Sequence, residues 1–168
     1  MRNIKIAILL FSISCAFAGC KVYSFTGASI SPDIKTVSIA LFPNRASMIQ
    51  PSLSQVFTEM LKDKFVSQTN LSQVKSGGDL QFEGYISDYV SMPTAIQGNE
   101  QAALNRLTIT VKVKFVNTKD EKLSFETSFS RFTDYDARKN LASVEVELIN
   151  DICTQLVEDI FNRAVINW

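Results

Sequence analysis

The chain has 168 residues, of which 46% are hydrophobic; 17 are Lys or Arg and 17 are Asp or Glu, so the formal net charge is zero. That balance excludes the basic stripe that a nucleic-acid-binding domain needs. The sequence has no histidine, which removes the commonest general base and metal ligand. We therefore expect no cofactor and no metal site, and the length favours one domain.

The N-terminal segment predicts a lipoprotein signal peptide. A basic start and an apolar run over 6–17 have the length of a signal sequence and are too short for a membrane span. Two small residues then precede Cys20, which resembles a lipobox except that Phe17 stands where Leu is usual. We expect residues 1–19 to be removed and Cys20 to be acylated. An ordinary signal peptide that leaves Cys20 unmodified is the alternative.

The next part of the chain predicts two strands separated by a helix. We expect residues 20–35 to form a lipidated tether and 36–168 to form the domain. Alternating apolar residues over 36–42 predict a first strand. Apolar residues three and four apart over 51–67 predict an amphipathic helix, and a Gly-Gly turn leads to a second strand over 79–90.

After a loop over 93–104, two further strands and a long helix are predicted. Apolar residues alternate with Thr and Lys over 107–115, and a hairpin turn at 117–121 leads to a strand over 123–129. A stripe of apolar residues predicts the last helix over 141–165. Strands with one apolar and one polar face are typical of an antiparallel sheet that is covered on one side.

The predicted order of elements is β-α-β-β-β-α. It favours an α+β fold in which two helices pack on one face of a four-stranded mixed sheet. The first crossover is long enough to make the first two strands parallel neighbours or near neighbours. The other face would stay open and polar and would display Gln81, Glu83, Tyr85, Thr108, Thr110, Lys112, Lys114, Glu126 and Ser128.

No catalytic constellation is recognisable in the sequence. Asp134 and Asp136 could form a carboxylate pair, but two such residues in a loop before a helix more often cap and turn the chain. The serines lack the contexts that activate a nucleophile. Cys153 lies among apolar residues of the last helix and fits a small buried hydrophobe. We expect a protein without enzymatic activity.

Five basic residues are the candidates for a binding surface. Arg106 follows the long loop, and Arg138 and Lys139 precede the last helix, so these three could lie near one another. Cationic groups at loop ends suit an anionic partner such as a phosphorylated glycolipid. Lys112 and Lys114 would stand on the open sheet face. A solvated surface with weak ion pairs is the alternative for each of them.

Longer segments of the sequence resemble a known family. The chain is similar to LptE, the lipopolysaccharide-assembly lipoproteins of the outer membrane, and in particular to the branch found in Bacteroides-type bacteria. An aromatic residue soon after Cys20 is one shared feature. The others are the strings FPNRA, LSQVFTEMLKDKF, GDLQFEGYI, NRLTITVKVKF, DYDA and VEDIFNRAVINW. The resemblance covers residues 20–168.

The resemblance implies a function without catalysis. An LptE protein is a plug in the lumen of the LptD β-barrel, where it assists assembly of the barrel and delivery of lipopolysaccharide. This implies a lipid-anchored protein on the periplasmic side of the outer membrane. The family's basic residues in the meander loop and before the last helix are absent here, since 95–97 is Ala-Ile-Gln and 142–143 is Ala-Ser. Arg106, Arg138 and Lys139 are therefore only neighbouring candidates for lipopolysaccharide contact.

A second class of function fits the same sequence. A generic periplasmic lipoprotein for secretion or envelope assembly, which binds another protein or peptidoglycan, would also need a membrane tether and a domain without catalytic residues. Co-purification of a large β-barrel distinguishes the two hypotheses.

Overall fold

A computed structural model gives the fold of residues 30–48, 50–94 and 103–165. The elements are β1 (Thr36–Ile39), α1 (Leu53–Gln68), β2 (Ser72–Val74), β3 (Leu80–Pro93), β4 (Leu104–Asn117), a 3-10 turn (Glu121–Leu123), β5 (Phe125–Asp136) and α2 (Leu141–Val165). The predicted range of the last helix is confirmed. The predicted signal peptide, Cys20 and residues 21–29 of the tether lie outside the described residues, as do 95–102 of the long loop.

The strands form one mixed sheet in the order β2-β1-β3-β4-β5. β1 runs parallel to both of its neighbours, because the chain returns through α1 before β2 and β3 pair with it. β3, β4 and β5 form an antiparallel meander. The α+β class and the parallel pairing of β1 with the strand that begins near Leu80 are therefore confirmed.

The sequence-based count of four strands was wrong, because the sheet has five. The missed strand, β2, has only three residues and pairs with β1 in the register Thr36↔Ser72. Its residues are exposed or half-buried, so no alternation of apolar and polar residues marks it in the sequence. Backbone pairing at the sheet edge forms this strand, and that pairing leaves no side-chain pattern.

Both helices pack against one face of the sheet and against each other. α1 lies over β1 and β2, and α2 lies over β4 and β5. Between them and the sheet is one core whose largest fully buried side chains are Tyr89, Phe42, Phe57, Phe65, Phe82, Phe115, Leu53, Leu61, Leu80, Ile86, Leu107 and Ile109. Burial of this apolar surface is the main force that holds the helices to the sheet.

A row of aromatic rings crosses the core from helix to edge strand. Phe65 of α1 packs on Phe82 of β3 with ring centroids 4.7 Å apart, and Phe82 packs on Phe115 of β4 at 4.7 Å. Phe115 continues to Phe125 of β5 at 5.1 Å. Offset and edge contacts at these distances add to the stability that ring burial provides.

The strand β5 is longer than the sequence predicted. Asp134 and Asp136 were expected in a loop before the last helix, and the structure instead places them at the end of β5, paired with Arg106 and Leu104 of β4. Tyr135 explains the extension, since its side chain is buried on the helix side of the sheet and hydrogen-bonds to Ser91 at 2.7 Å. Tertiary burial of one residue thus prolongs the strand.

Helix α2 begins after Asn140, whose side chain accepts a hydrogen bond from the N–H of Ala142 at 3.1 Å. An asparagine in this place satisfies one of the free N–H groups of the first turn. Cys153 is fully buried within the helix, as the sequence predicted. Among the described residues no helix is long and apolar enough to cross a membrane.

Candidate functional site

The face of the sheet opposite the helices is open over the described part of the chain. On β4 the residues that are buried alternate with residues that are half-buried or exposed, so one face of the strand meets the core and the other meets solvent. The residues that were predicted for the open face lie on the solvent side of β3, β4 and β5. We call the end of the sheet where β3 and β5 finish and β4 begins the distal end, and the end near Ile30 the tether end.

The distal end brings together three of the five predicted basic residues. Arg106 lies near the start of β4, while Arg138 and Lys139 lie in the turn that joins β5 to α2. The carboxylates that Arg106 and Arg138 contact are two residues apart on β5, which in a strand places them on one face about 7 Å apart. The structure therefore places this part of the predicted set at one location.

Arg106 is held in a fixed geometry on the open face. Its Nε donates to Oδ1 of Asp134 at 2.7 Å and its Nη2 to Oδ2 at 2.9 Å, a bidentate pair. The guanidinium lies 3.6 Å from the centroid of the Phe132 ring. The hydrogen bond from Arg106 lowers the pKa of Asp134 below its ordinary value, so the pair stays charged. Two of the five N–H donors are used, which leaves three for another anion.

Arg138 makes the second ion pair of the distal end. Its Nη2 lies 2.6 Å from Oδ2 of Asp136, and its backbone N–H donates to Oδ1 of the same carboxylate at 2.9 Å. These bonds lower the pKa of Asp136 to about 2. The Arg138 side chain is 83% exposed, and Lys139 beside it is also exposed. Both cations therefore remain accessible to a ligand, as Arg106 does through its free donors.

Lys112 and Lys114 lie elsewhere on the sheet. Lys112 Nζ is 2.8 Å from Oε1 of Glu126 on β5, and the hydrogen bond raises the pKa of the lysine. Lys114 stands opposite Glu83 of β3 in the sheet register. Because Lys112 lies six positions after Arg106 along β4, about 20 Å lies between them. The five predicted residues thus form two separate groups.

A shallow groove of about 620 Å³ lies beside Arg106 on the open face. Its lining comprises Asp88, Val90, Met92, Pro93, Thr94, Arg106, Thr108 and Thr110. Met92 is 62% exposed and Phe132 is 48% exposed, so apolar surface is accessible next to the guanidinium. Such a surface offers both apolar contact and charge-assisted hydrogen bonds, the combination that an anionic amphiphile requires.

The described residues offer no arrangement for catalysis or metal binding. Asp134 and Asp136 each form an ion pair with an arginine, so neither is poised as a general acid or base. Residues 30–48, 50–94 and 103–165 contain no group of three His, Cys, Asp or Glu side chains that could hold a metal ion. Burial raises the pKa of the Cys153 thiol to about 12, which makes it a poor nucleophile.

The sequence analysis missed a polar cluster at the tether end. The Oδ2 atom of Asp79 accepts hydrogen bonds from the N–H groups of Lys35 and Thr36 at 2.9 and 3.0 Å and from the Thr36 hydroxyl at 2.9 Å. Its Oδ1 lies 3.1 Å from Nζ of Lys119. These bonds, foremost that from Lys35, hold the pKa of Asp79 well below its ordinary value. The cluster fixes the start of β1 to the start of β3. Its one signal in the sequence is that Asp79 directly follows the Gly77-Gly78 turn.

A second missed contact joins the helices to the distal end. Glu145 of α2 accepts a hydrogen bond from the hydroxyl of Tyr89 on β3 and another from Gln50 before α1 at 3.4 Å. Burial, followed by the bond to Glu145, raises the pKa of Tyr89. This contact holds the start of α2, and with it the turn that carries Arg138, against the sheet. Residues 56 positions apart form it, which is why no local pattern revealed it.

Comparison with known proteins identifies the family of the domain. The model of the LptE family, described as lipopolysaccharide-assembly, matches residues 34–164. No curated protein matches the chain. The match spans nearly all of the described residues and includes both groups of basic side chains.

Solved structures that are similar to this chain have very different sequences. The hypothetical protein CT253 of Chlamydia trachomatis is 8% identical with a TM-score of 0.53, covering 80% of this chain and 99% of that one. A neuraminyllactose-binding hemagglutinin homolog of Helicobacter pylori is 11% identical with a TM-score of 0.53, covering 83% and 88%. A minor lipoprotein of Acinetobacter baumannii is 14% identical with a TM-score of 0.48, covering 79% and 97%. The first two share the fold.

Proposed function

The chain belongs to the LptE family of lipopolysaccharide assembly, and from this premise we propose that it is a lipid-anchored, non-catalytic partner of the LptD-type β-barrel in the outer membrane. The observation that carries the proposal is the family match over 34–164, which spans the domain from the residue where burial begins to the last helix. In this proposal the domain assists the barrel in delivering lipopolysaccharide and remains on the periplasmic side.

The anchor in this proposal is Cys20. Each buried methylene of an acyl chain contributes about 0.8 kcal/mol, so a cysteine with several chains would remain in the bilayer permanently. Among the described residues the first that is buried is Ile34, and the chain from Cys20 to Ile34 can span at most about 50 Å when fully extended. The domain would therefore work close to the membrane that holds its lipid.

The distal end is the proposed contact with lipopolysaccharide. β4 has 14 residues, so it separates the tether end from the distal end by roughly 45 Å. At the distal end Arg106, Arg138 and Lys139 present cationic donors beside the apolar side chains of the groove. A phosphorylated glycolipid offers both phosphates and acyl chains to such a surface. Lys112 and Lys114 are assigned to the protein partner, because they lie on the middle of the open face.

Two measurements on the full chain test the anchor and the partner. Mass analysis of the mature protein should give an acylated Cys20 as its first residue, and detergent extracts of the tagged chain should contain a large β-barrel. A bare first residue would refute the anchor. An extract with an envelope protein or peptidoglycan in place of the barrel would refute the translocon role and favour the scaffold hypothesis.

A pair of matched variants tests the lipid contact. Arg106→Gln with Arg138→Gln removes two charges at the distal end, and Lys112→Gln with Lys114→Gln removes two charges from the middle of the sheet. We expect the first pair to weaken capture of purified lipopolysaccharide severalfold, with Lys139→Gln adding to the loss, and the second pair to leave capture unchanged. Equal capture by both double variants would refute the assignment of the distal end.

A further inference from the structure

A groove at the tether end lies where the last helix ends. Its volume is about 310 Å³, and its walls come from the segment before β1, the start of β3, the connection between β4 and β5, and the end of α2. Leu123 in this wall is 41% exposed, so apolar surface is accessible there. The apolar lining residues are Ile30, Ile34, Leu80, Leu123, Ala164 and Val165. The groove is separate from the distal end, to which the proposed function assigns lipid contact.

The polar lining of this groove suits an aromatic ring that carries one hydrogen-bond donor. Asp33 and Asp120 bring carboxylates to it, and Arg163 brings a guanidinium that already lies 5.4 Å from the centroid of the Phe125 ring. A buried indole usually finds an acceptor for its N–H, and its face attracts cations more strongly than other aromatic faces do. Apolar walls, carboxylate acceptors and a guanidinium together therefore fit a tryptophan.

The only tryptophan of the sequence, Trp168, lies three residues beyond the described end of α2. Residues 166–168 lie outside the described part of the chain. Because successive residues of a helix are rotated by about 100°, one further turn directs position 168 about 40° from Ala164 and about 60° from Val165. Both of these residues line the groove. Three residues of helix advance the chain by only about 4.5 Å, so an indole at this position reaches the groove.

We propose that Trp168 seats its indole in this groove and closes the tether end of the core. The ring packs between Val165 of α2 and Leu123 of the 3-10 turn, and its N–H donates to a carboxylate of the lining, that of Asp33 or Asp120. Removal of this large apolar ring from water stabilises the docked position.

The docked ring would also fix the point where the tether enters the domain. Residues 30–34 form one wall of the groove, so the indole joins this segment to the end of α2. The Asp79 cluster holds the next two residues of the same segment, Lys35 and Thr36, against the start of β3. The two contacts together set the direction in which the chain before residue 30 leaves the domain.

Two aromatic residues of the tether are the competing occupants. Phe25 lies five positions and Tyr23 seven positions before Ile30, so either could reach the groove. The observations favour Trp168, because the rotation of α2 directs position 168 between two lining residues, whereas nothing directs the tether residues there. The tests below separate these occupants.

Tryptophan fluorescence tests the proposal, since the emission of this chain comes from position 168 alone. The full chain in phospholipid vesicles should emit at a shorter wavelength than the chain unfolded in urea, and acrylamide should quench it severalfold less efficiently. Emission and quenching equal to those in urea would overturn the proposal and leave the groove to Phe25 or Tyr23. Quenching by brominated phospholipid would also overturn it, because the ring would then lie in the bilayer.

A pair of matched variants tests the location of the ring. Leu123→Lys places a charge in the apolar wall, so it should shift the emission towards that of the unfolded chain and raise acrylamide quenching at least about twofold. Val66→Lys adds the same charge at a 49% exposed position of α1 that does not line the groove, and it should leave both signals unchanged. Circular dichroism checks that both variants fold. Emission that is insensitive to Leu123→Lys would overturn the assignment of this groove.

Thermal unfolding gives a readout without fluorescence. Trp168→Ala should lower the melting temperature by several degrees, while Trp168→Phe should retain most of the stability because a ring still fills the groove. Equal melting temperatures of Trp168→Ala and the parent chain would contradict the proposal. None of these measurements needs a barrel or lipopolysaccharide, so their outcome is independent of the proposed function.

Discussion

Replacement of Gly84 tests how closely the strands and the core are fitted. Gly84 lies in β3 on the helix side of the sheet, and a Cβ atom there would lie 2.1 Å from the carbonyl oxygen of Lys112 and 2.6 Å from Cε1 of Phe42. Real Cβ atoms do not approach other atoms so closely. The backbone of β4 cannot retreat without breaking the ladder that joins it to β3. Gly84→Ala should therefore be strongly destabilising.

The expected cost of Gly84→Ala follows from these two contacts. Insertion of a methyl group into a packed site costs about 1–3 kcal/mol, and a backbone obstacle places this site at or above the upper end. For a domain of this size a loss of about 3 kcal/mol lowers the melting temperature by roughly 10 °C. Thermal unfolding followed by circular dichroism measures the shift, and urea titration gives the free energy of unfolding.

Gly77→Ala is the matched control. Gly77 has a φ of +68° and nothing within 4 Å of its Cβ position, so its cost is backbone strain of about 1–2 kcal/mol. Phe42→Leu combined with Gly84→Ala removes the ring contact but keeps the contact with Lys112, so the double variant should recover only part of the loss. A Gly84→Ala protein more stable than Gly77→Ala would refute the packing argument.

Three further changes have defined outcomes. Phe65→Ala removes a fully buried ring that lies between Phe82 and Phe161 and should cost about 3–5 kcal/mol in the free energy of unfolding, against little change for the exposed Val66→Ala. Asp79→Asn should lower the free energy of unfolding at neutral pH. The folded pKa of Asp79 lies below the ordinary 3.8, so the difference in stability between the parent chain and the variant should shrink as pH falls below about 4. A difference that stays constant with pH would contradict this. Cys153 should resist a thiol reagent at neutral pH until urea unfolds the chain, since burial raises its pKa to about 12; rapid labelling of the folded protein would contradict it.

The sequence predicted the elements that carry a strong periodicity. The stripe of apolar residues over 141–165 gave the last helix, because a long amphipathic pattern has only one regular structure that buries it. The alternation around Leu107 and Phe115 gave the strand β4 and its open face. The predicted burial of Cys153 was also confirmed. In each case the local pattern and the tertiary environment demand the same side-chain arrangement.

The candidate site was only partly predictable. The sequence suggested that Arg106, Arg138 and Lys139 could lie near one another, since each lies beside a connection between elements, and the register of β4 with β5 places them at the distal end. It did not suggest that Asp134 and Asp136 would neutralise the two arginines. It placed Lys112 and Lys114 on the open sheet face, and the structure puts Lys112 about 20 Å from Arg106 along β4.

Composition and local periodicity by themselves determined the α+β class, an amphipathic C-terminal helix and a sheet with one polar face, because burial of apolar residues follows the repeat of helix or strand. Tertiary structure alone decided the fifth strand, the extension of β5 to Asp136 and the partners of each charged side chain. These features depend on backbone pairing and on contacts between residues far apart in the chain. Neither leaves a pattern in the local sequence.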